Sequence, residues 1–226
     1  MDKPVSLLEF AYGKIKAKIL AGELPPGHKL SAKTISESLN ISQTPVKEAI
    51  NRLVAEGFVQ SNPRRGHQVS RLSISDVKDM MDVRLMMECF AAKSAVQNAP
   101  HHPEIMRRMQ ELLIPYSHAS SLDYLQVSAI EQEFHNLYIQ LSENKRLIKL
   151  YQTDWSVSLL YYLYSITNHP LSSLDHLFTS HQMIYDFILA QDTHGLEKLL
   201  SQTMKSVMAL LTDLIRADKT GAFLKE

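Results

Sequence analysis

Residues 31–52, SAKTISESLNISQTPVKEAINR, constrain this chain more than any other stretch, because they read as two short helices across a turn. Ile35 and Leu39 share a face at i, i+4. After a break at Asn40-Ile41, a second face runs Val46, Ala49, Ile50, Leu53 at i, i+3, i+4, i+7. That pattern is a helix-turn-helix. Ser42 takes the N-cap position of the second helix, and Pro45 sits in its first turn, where a missing N–H costs little. Gln43, Thr44 and Lys47 share the exposed face at the start of that helix. With Ser42 they are candidate DNA contacts, since side chains of this kind reach phosphates and base edges when a second helix enters a major groove.

The flanks extend the motif. Leu8, Ala11, Tyr12, Ile15 and Ile19 mark one face of an earlier helix, Gly22 is placed to end it, and Leu24-Pro-Pro-Gly27 breaks the chain. Beyond the motif, Phe58-Val59-Gln60 and His67-Gln68-Val69-Ser70 flank the turn Ser61-Asn-Pro-Arg-Arg-Gly66, which predicts a two-stranded wing. Its tip carries Arg64, Arg65, Gly66 and His67, able to follow a phosphate backbone or enter a minor groove.

The total formal charge is zero, yet the two ends differ. Residues 1–72 hold 11 Lys+Arg against 6 Asp+Glu, a balance of +5, and residues 73–226 hold the other 13 against 18, a balance of −5. A basic head on an acidic body fits a DNA-binding module joined to a regulatory or assembly module. The single cysteine, Cys89, excludes an internal disulfide and a multi-thiolate metal site. The longest stretch without Asp, Glu, Lys or Arg, residues 155–174, is broken by polar residues and proline, and the N-terminus has no apolar signal core. These features predict a cytoplasmic protein with no membrane partner.

From Ser73 the pattern is helical: one helix from Ser75-Asp76 to near Asn98-Ala-Pro100, then others over about 102–113, 120–142, 145–167, 171–190 and 193–216. Six helices with short connections predict an antiparallel bundle. The fold class is therefore mainly α, with a winged helix-turn-helix at 1–72, an all-α effector-binding and dimerisation domain at 73–219 and a polar tail at 220–226.

The head resembles the GntR family of bacterial transcription regulators. The resemblance rests on Ile19-Leu-Ala-Gly-Glu-Leu-Pro-Pro-Gly27, Ile41-Ser-Gln-Thr-Pro-Val-Lys-Glu-Ala-Ile50, Arg52-Leu-Val-Ala-Glu-Gly-Phe-Val59 and Pro63-Arg-Arg-Gly66. The helical body looks like an FCD-type effector domain of the six-helix, VanR-like branch. The resemblance implies DNA contacts at Lys33, Gln43, Lys47 and the tip from Arg64 to His67. The family usually has arginine at the first three. Lysine lacks the planar fork that pairs with guanine, and glutamine prefers adenine, which predicts a less G-rich operator.

FCD domains often hold a divalent metal through an acid, a histidine four residues later and two histidines from the last two helices. The resemblance aligns Glu131, His135 and His181 with three of these ligands, but Thr203 falls where the fourth histidine belongs, and a neutral hydroxyl is a poor ligand. Two readings stand. One is a zinc, nickel or manganese ion completed by water or an effector carboxylate, and the other is a metal-free polar pocket. Arg84 matches a pocket arginine that pairs with an effector carboxylate, while an ion pair with Glu88 at i+4 is an equal alternative. Tyr161 and Tyr164, with Trp155 and Tyr151, either wall the pocket or belong to the core, and Met80, Met81, Met86 and Met87 read as core or dimer packing.

The sequence thus predicts a homodimeric, ligand-responsive repressor, not an enzyme, that binds a double-stranded pseudo-palindromic operator and answers to a small carboxylate or sugar acid. A DNA-bound assembly protein with a vestigial pocket is the main rival. A metal-dependent enzyme is the weaker one, since no nucleophile elbow or phosphate loop is present.

Overall fold

The computed structural model describes residues 6–63, 66–114, 122–154, 175–218, 221 and 223, with residues 175–178 in backbone only. It divides into two compact units, Met1–Ser73 with Asp218–Glu226, and Ile74–Ala217.

In the first unit, α1 (Leu7–Leu20) starts where the Ser6 hydroxyl accepts from Glu9 N–H at 3.1 Å, and it buries Ala11, Ile15 and Ile19. Gly22, at φ 74°, turns the chain into β1 (Lys29–Leu30). Ser31 caps α2 (Ala32–Leu39), its hydroxyl accepting from Thr34 N–H at 3.3 Å. The helix ends at Asn40, whose φ of 52° is a left-handed position that asparagine tolerates. The next helix, α3 (Gln43–Ala55), buries Val46, Ala49, Ile50 and Leu53, the face that the periodicity marks. Both α1 and α2 pack on α3. Glu56 ties α1 to α3: its carboxylate accepts from Tyr12 Oη at 2.7 Å and Arg52 Nε at 3.0 Å, with Lys16 Nζ at 3.7 Å.

The wing is a hairpin of β2 (Val59–Asn62) and β3 (Gly66–Val69) in the register Val59↔Val69 to Asn62↔Gly66. To the two expected strands the structure adds β1, paired with the other edge of β3 through Lys29↔Gln68 and Leu30↔His67. This strand satisfies backbone groups that the hairpin leaves open. Val69 N–H donates to His28 O, and Gly27 N–H to Val69 O, both at 2.9 Å. Phe223, after the last helix, is buried and groups with this unit.

The second unit contains α4 (Ile74–Asn98), a 3₁₀ turn (Ala99–His101), α5 (Pro103–Leu113), α6 (Tyr124–Gln140), α7 (Lys145–Thr153), α8 (Asp175–Leu189) and α9 (Thr193–Ala217). Ala91, Ala92 and Ala95 give α4 a small-residue face that packs closely with α9, and Phe134, Tyr138, Leu196 and Leu200 fill the core around it. A reciprocal cap starts α6: Asp123 accepts from Gln126 N–H at 2.8 Å, and the Gln126 side chain accepts from Asp123 N–H at 2.9 Å.

Helix α7 ends at Thr153 where a helix to residue 167 is expected, and residues 155–167 lie outside the described residues. Asp154 turns extended at ψ 130°, and the Thr153 hydroxyl donates back to Leu150 O at 2.8 Å within the last turn. The methionines of α4 also part company. Met81 and Met87 are buried, Met80 is half-buried and Met86 is 64% exposed. Among the described residues, no helix is long and apolar enough to cross a membrane.

Candidate functional site

Two places gather chemistry. The first is the start of α3, where Ser42, Gln43, Thr44 and Lys47 are all exposed while Val46, Ala49 and Ile50 anchor the opposite face. Ser42 holds the N-cap backbone conformation, at φ −69° and ψ 161°, but its side chain makes no capping bond. No acidic residue lies in the first turn of α3, so no side chain of that turn offsets the positive end of the helix dipole. Lys33 is exposed on α2. In the wing, Gly66 is exposed and His67 half-buried, paired with Ser61 and Leu30. Arg64 and Arg65 lie outside the described residues.

The second is a buried ionic cluster in the helical unit. Arg84 and Glu88 come from α4, Glu131 and His135 from α6, Tyr151 from α7 and His181 from α8, and all six are buried. Arg84 Nε donates to Glu88 Oε1 at 2.8 Å, and the Tyr151 hydroxyl donates to the same oxygen at 2.5 Å. The Tyr138 hydroxyl donates to the Glu88 backbone carbonyl at 2.7 Å. His135 Nδ1 lies 3.2 Å from Glu88 Oε1, within ion-pair reach but off the hydrogen-bond line. On the other side of that ring, Arg84 Nη2 is 3.0 Å from His135 Nε2. A guanidinium only donates, so Nε2 carries the lone pair and the proton is on Nδ1.

Burial acts strongly on His135, Glu88, Arg84 and Tyr151, but it does not decide the direction for all four. It pushes His135 down, keeping the imidazole neutral against the pull of Glu88. Burial alone would raise Glu88, but the Arg84 charge, helped by the Tyr151 hydroxyl bond, outweighs it and holds the carboxyl well below the usual range. Desolvation likewise opposes the Arg84 charge, yet Glu88 keeps the guanidinium more firmly protonated than a free arginine. Burial and Glu88 together raise Tyr151.

Glu131, His135 and His181 converge as the resemblance implies. His181 Nε2 is 3.0 Å from both His135 Nε2 and Glu131 Oε2, and the third side, His135 Nε2 to Glu131 Oε2, is 4.0 Å. Ligand atoms on one metal at ~2.0–2.2 Å stand roughly 3.0–3.5 Å apart, so this triangle fits a small divalent ion after a shift of about half an ångström. Two sides, at 3.0 Å, are already in range. The lone pair on His135 Nε2 that accepts from Arg84 is the one a metal would take, so metal and guanidinium compete for it. Phe134 stands edge-on to both imidazoles, with ring centroids 5.8 and 5.0 Å away, and forms an apolar wall. Thr203 is half-buried on α9. Tyr161 and Tyr164 lie outside the described residues.

Glu88 is the hub that sequence reasoning took only as a partner for Arg84. The signal was present: an acid sits on the same buried face of α4 as Val77, Met81, Ala91 and Ala95.

Comparisons with known proteins match two separate regions of the chain. The family model described as bacterial regulatory proteins, gntR family, matches residues 7–69, and the FCD domain model matches residues 79–206. The HTH-type transcriptional regulator McbR of Escherichia coli (strain K12) is 27% identical over 213 residues, covering 92% of this chain and 94% of its own. The HTH-type transcriptional repressor RspR of the same strain is 25% identical over 134 residues, 58% of each. The solved structure of E. coli McbR/YncC superposes with a TM-score of 0.74 at 24% identity, over 92% of this chain and 98% of that one. The mainly helical fold, its three-stranded wing and both matched regions lead to one conclusion: this chain belongs to the GntR family of bacterial transcription regulators and carries an FCD domain.

Proposed function

We propose that this chain is a ligand-responsive repressor that holds a pseudo-palindromic operator as a homodimer and releases it when a small organic acid occupies the helical unit. The observation that carries the sensing role is the buried cluster itself. Two carboxylates, a guanidinium and two imidazoles, all buried, are costly in a body that serves only to dimerise, whereas a binding site requires such groups. The family is one of regulators, not enzymes.

In this reading Lys33 and Lys47 anchor phosphates, Gln43 reads adenine, Ser42 and Thr44 add contacts at the helix start, and the tip from Arg64 to His67 follows the backbone. Glu131, His135 and His181 hold a divalent ion, which when bound supplies a Lewis-acidic point for an effector carboxylate. Arg84 pairs with the same carboxylate, and Tyr161 and Tyr164 wall the pocket. Dimerisation uses the exposed apolar stripe Val83, Met86 and Phe90, at i, i+3, i+7 on α4, which a two-fold copy of itself can cover. The protein works in the cytoplasm, where the operator is.

The test is fluorescence anisotropy on a selected operator, with zinc, nickel or manganese and a panel of carboxylates and sugar acids. Release by at least one acid, lost in Arg84→Ala and in His181→Ala, supports the sensor. The threonine at position 203, in place of a fourth histidine, favours a second reading, a DNA-bound assembly protein. That reading gains if no acid changes DNA affinity with any metal.

A further inference from the structure

The first unit has its own cavity, distant in chemistry from the ionic cluster. A cleft of about 290 Å³ opens between α1 and α2 beside β1. Its origin is in the packing. Both helices rest on α3 and barely meet each other, and α2 buries only Ser36, leaving Ile35 and Leu39 half-open. The floor is apolar, made of Ile15, Leu30, Ile35 and Leu39, with Leu24 at one side. Around the rim stand Lys14, Lys18, Lys29 and His28, and no carboxylate is among the lining residues. Lys18 has Glu23 at 3.8 Å, but both side chains are more than half exposed, so that pairing holds it weakly.

We infer that this cleft is a second ligand site, placed on the DNA-binding unit itself, for a small amphipathic monocarboxylate whose apolar body fills the floor and whose charge meets the lysine rim. The volume is about twice the ~150 Å³ that accommodates benzene, which leaves room for roughly ten to twelve non-hydrogen atoms. Burying an apolar body against half-open Ile35 and Leu39 removes surface that now faces water, and the rim cations select an anion over a neutral alcohol of equal size. Occupancy has a direct route to DNA. The ligand wedges between α1 and α2, and α2 carries Lys33.

The experiment is a methyl NMR titration of the full chain with octanoate, using n-octanol as the neutral control. The inference predicts shifts at the methyls of Ile15, Leu30, Ile35 and Leu39, with a dissociation constant on the order of 1 mM for a ligand of this size. Octanoate binds at least threefold more tightly than octanol, and a Lys14→Gln, Lys29→Gln pair removes that difference. Ser38→Phe, at an exposed position in the lining, closes the cleft and abolishes the shifts, whereas Arg84→Ala leaves them intact. Shifts confined to the helical unit overturn the inference, as does equal binding of acid and alcohol. It is also overturned if the lysine pair weakens DNA binding and leaves octanoate unaffected, because the rim then belongs to phosphate.

Discussion

Replacing Glu88 with glutamine keeps the shape of the side chain and deletes its charge. Glu88 is 2% exposed and takes Arg84 Nε at 2.8 Å and the Tyr151 hydroxyl at 2.5 Å on one oxygen. The amide oxygen still accepts from Arg84, but the guanidinium loses its adjacent counter-charge while it stays buried. Removing one partner of a buried pair costs ~3–5 kcal/mol, and the retained acceptor places this case at about 3. For a chain of this size that lowers Tm by roughly 6–12 °C. The control is the double variant Arg84→Met with Glu88→Leu, which removes both charges and costs less than Glu88→Gln alone, since no charge is orphaned. Urea denaturation followed by circular dichroism reads the wild type, Glu88→Gln, the double variant and its two singles, Arg84→Met and Glu88→Leu. A Glu88→Gln cost below about 1 kcal/mol, or a double variant as unstable as the sum of its singles, would refute the claim that Glu88 is the counter-ion on which the cluster depends.

Other consequences are as direct. His135 and Glu88 both titrate below their unfolded values, so each contributes stability that is complete above its unfolded pKa and lost as pH falls toward the folded one. Urea midpoints should therefore drop in two stages, below about pH 6.5 and again below about pH 4.3, with the upper stage absent in His135→Gln. Lys47→Ala should weaken binding to all sequences alike and reduce the salt slope by about 1, whereas Gln43→Ala should relax preference at one base pair by roughly 1–3 kcal/mol, both read by anisotropy at several salt concentrations. Gly27→Ala should destabilise the head by about 1 kcal/mol or more in the same urea assay, because Gly27 sits at φ +80° and an added Cβ would meet the Arg71 guanidinium under 3 Å away.

What could be read from the sequence was what periodicity encodes. The buried face of α3 stands at i, i+3, i+4, i+7, and the Pro/Gly turn between two short β runs marks the wing. What escaped it was what depends on distant partners. The two-residue strand β1 is too short for any alternation, and only its pairing with β3 makes it a strand. Helix α7 gives way at Asp154, whose backbone turns extended, a break that apolar periodicity does not mark. Ile35 and Leu39 share a face as expected, but both helices prefer α3, so that face lines a cleft instead of a core. In the second unit, i, i+4 spacing placed Glu131 with His135 and the family resemblance supplied His181. The role of Glu88 was hidden because it arises from contacts 47 to 63 residues away, with His135 and Tyr151.

In the proposed function, the exposed start of α3 reads a symmetric DNA site as part of a dimer. Selection of bound sequences from a random DNA library by the full chain, at two salt concentrations and with and without divalent metal, tests it most directly. The account predicts a short two-fold-symmetric consensus, poorer in G than the arginine-bearing members of the family select, with affinity that falls steeply as salt rises. Failure to enrich any sequence under all of these conditions, or enrichment of an asymmetric site indifferent to salt, would contradict it.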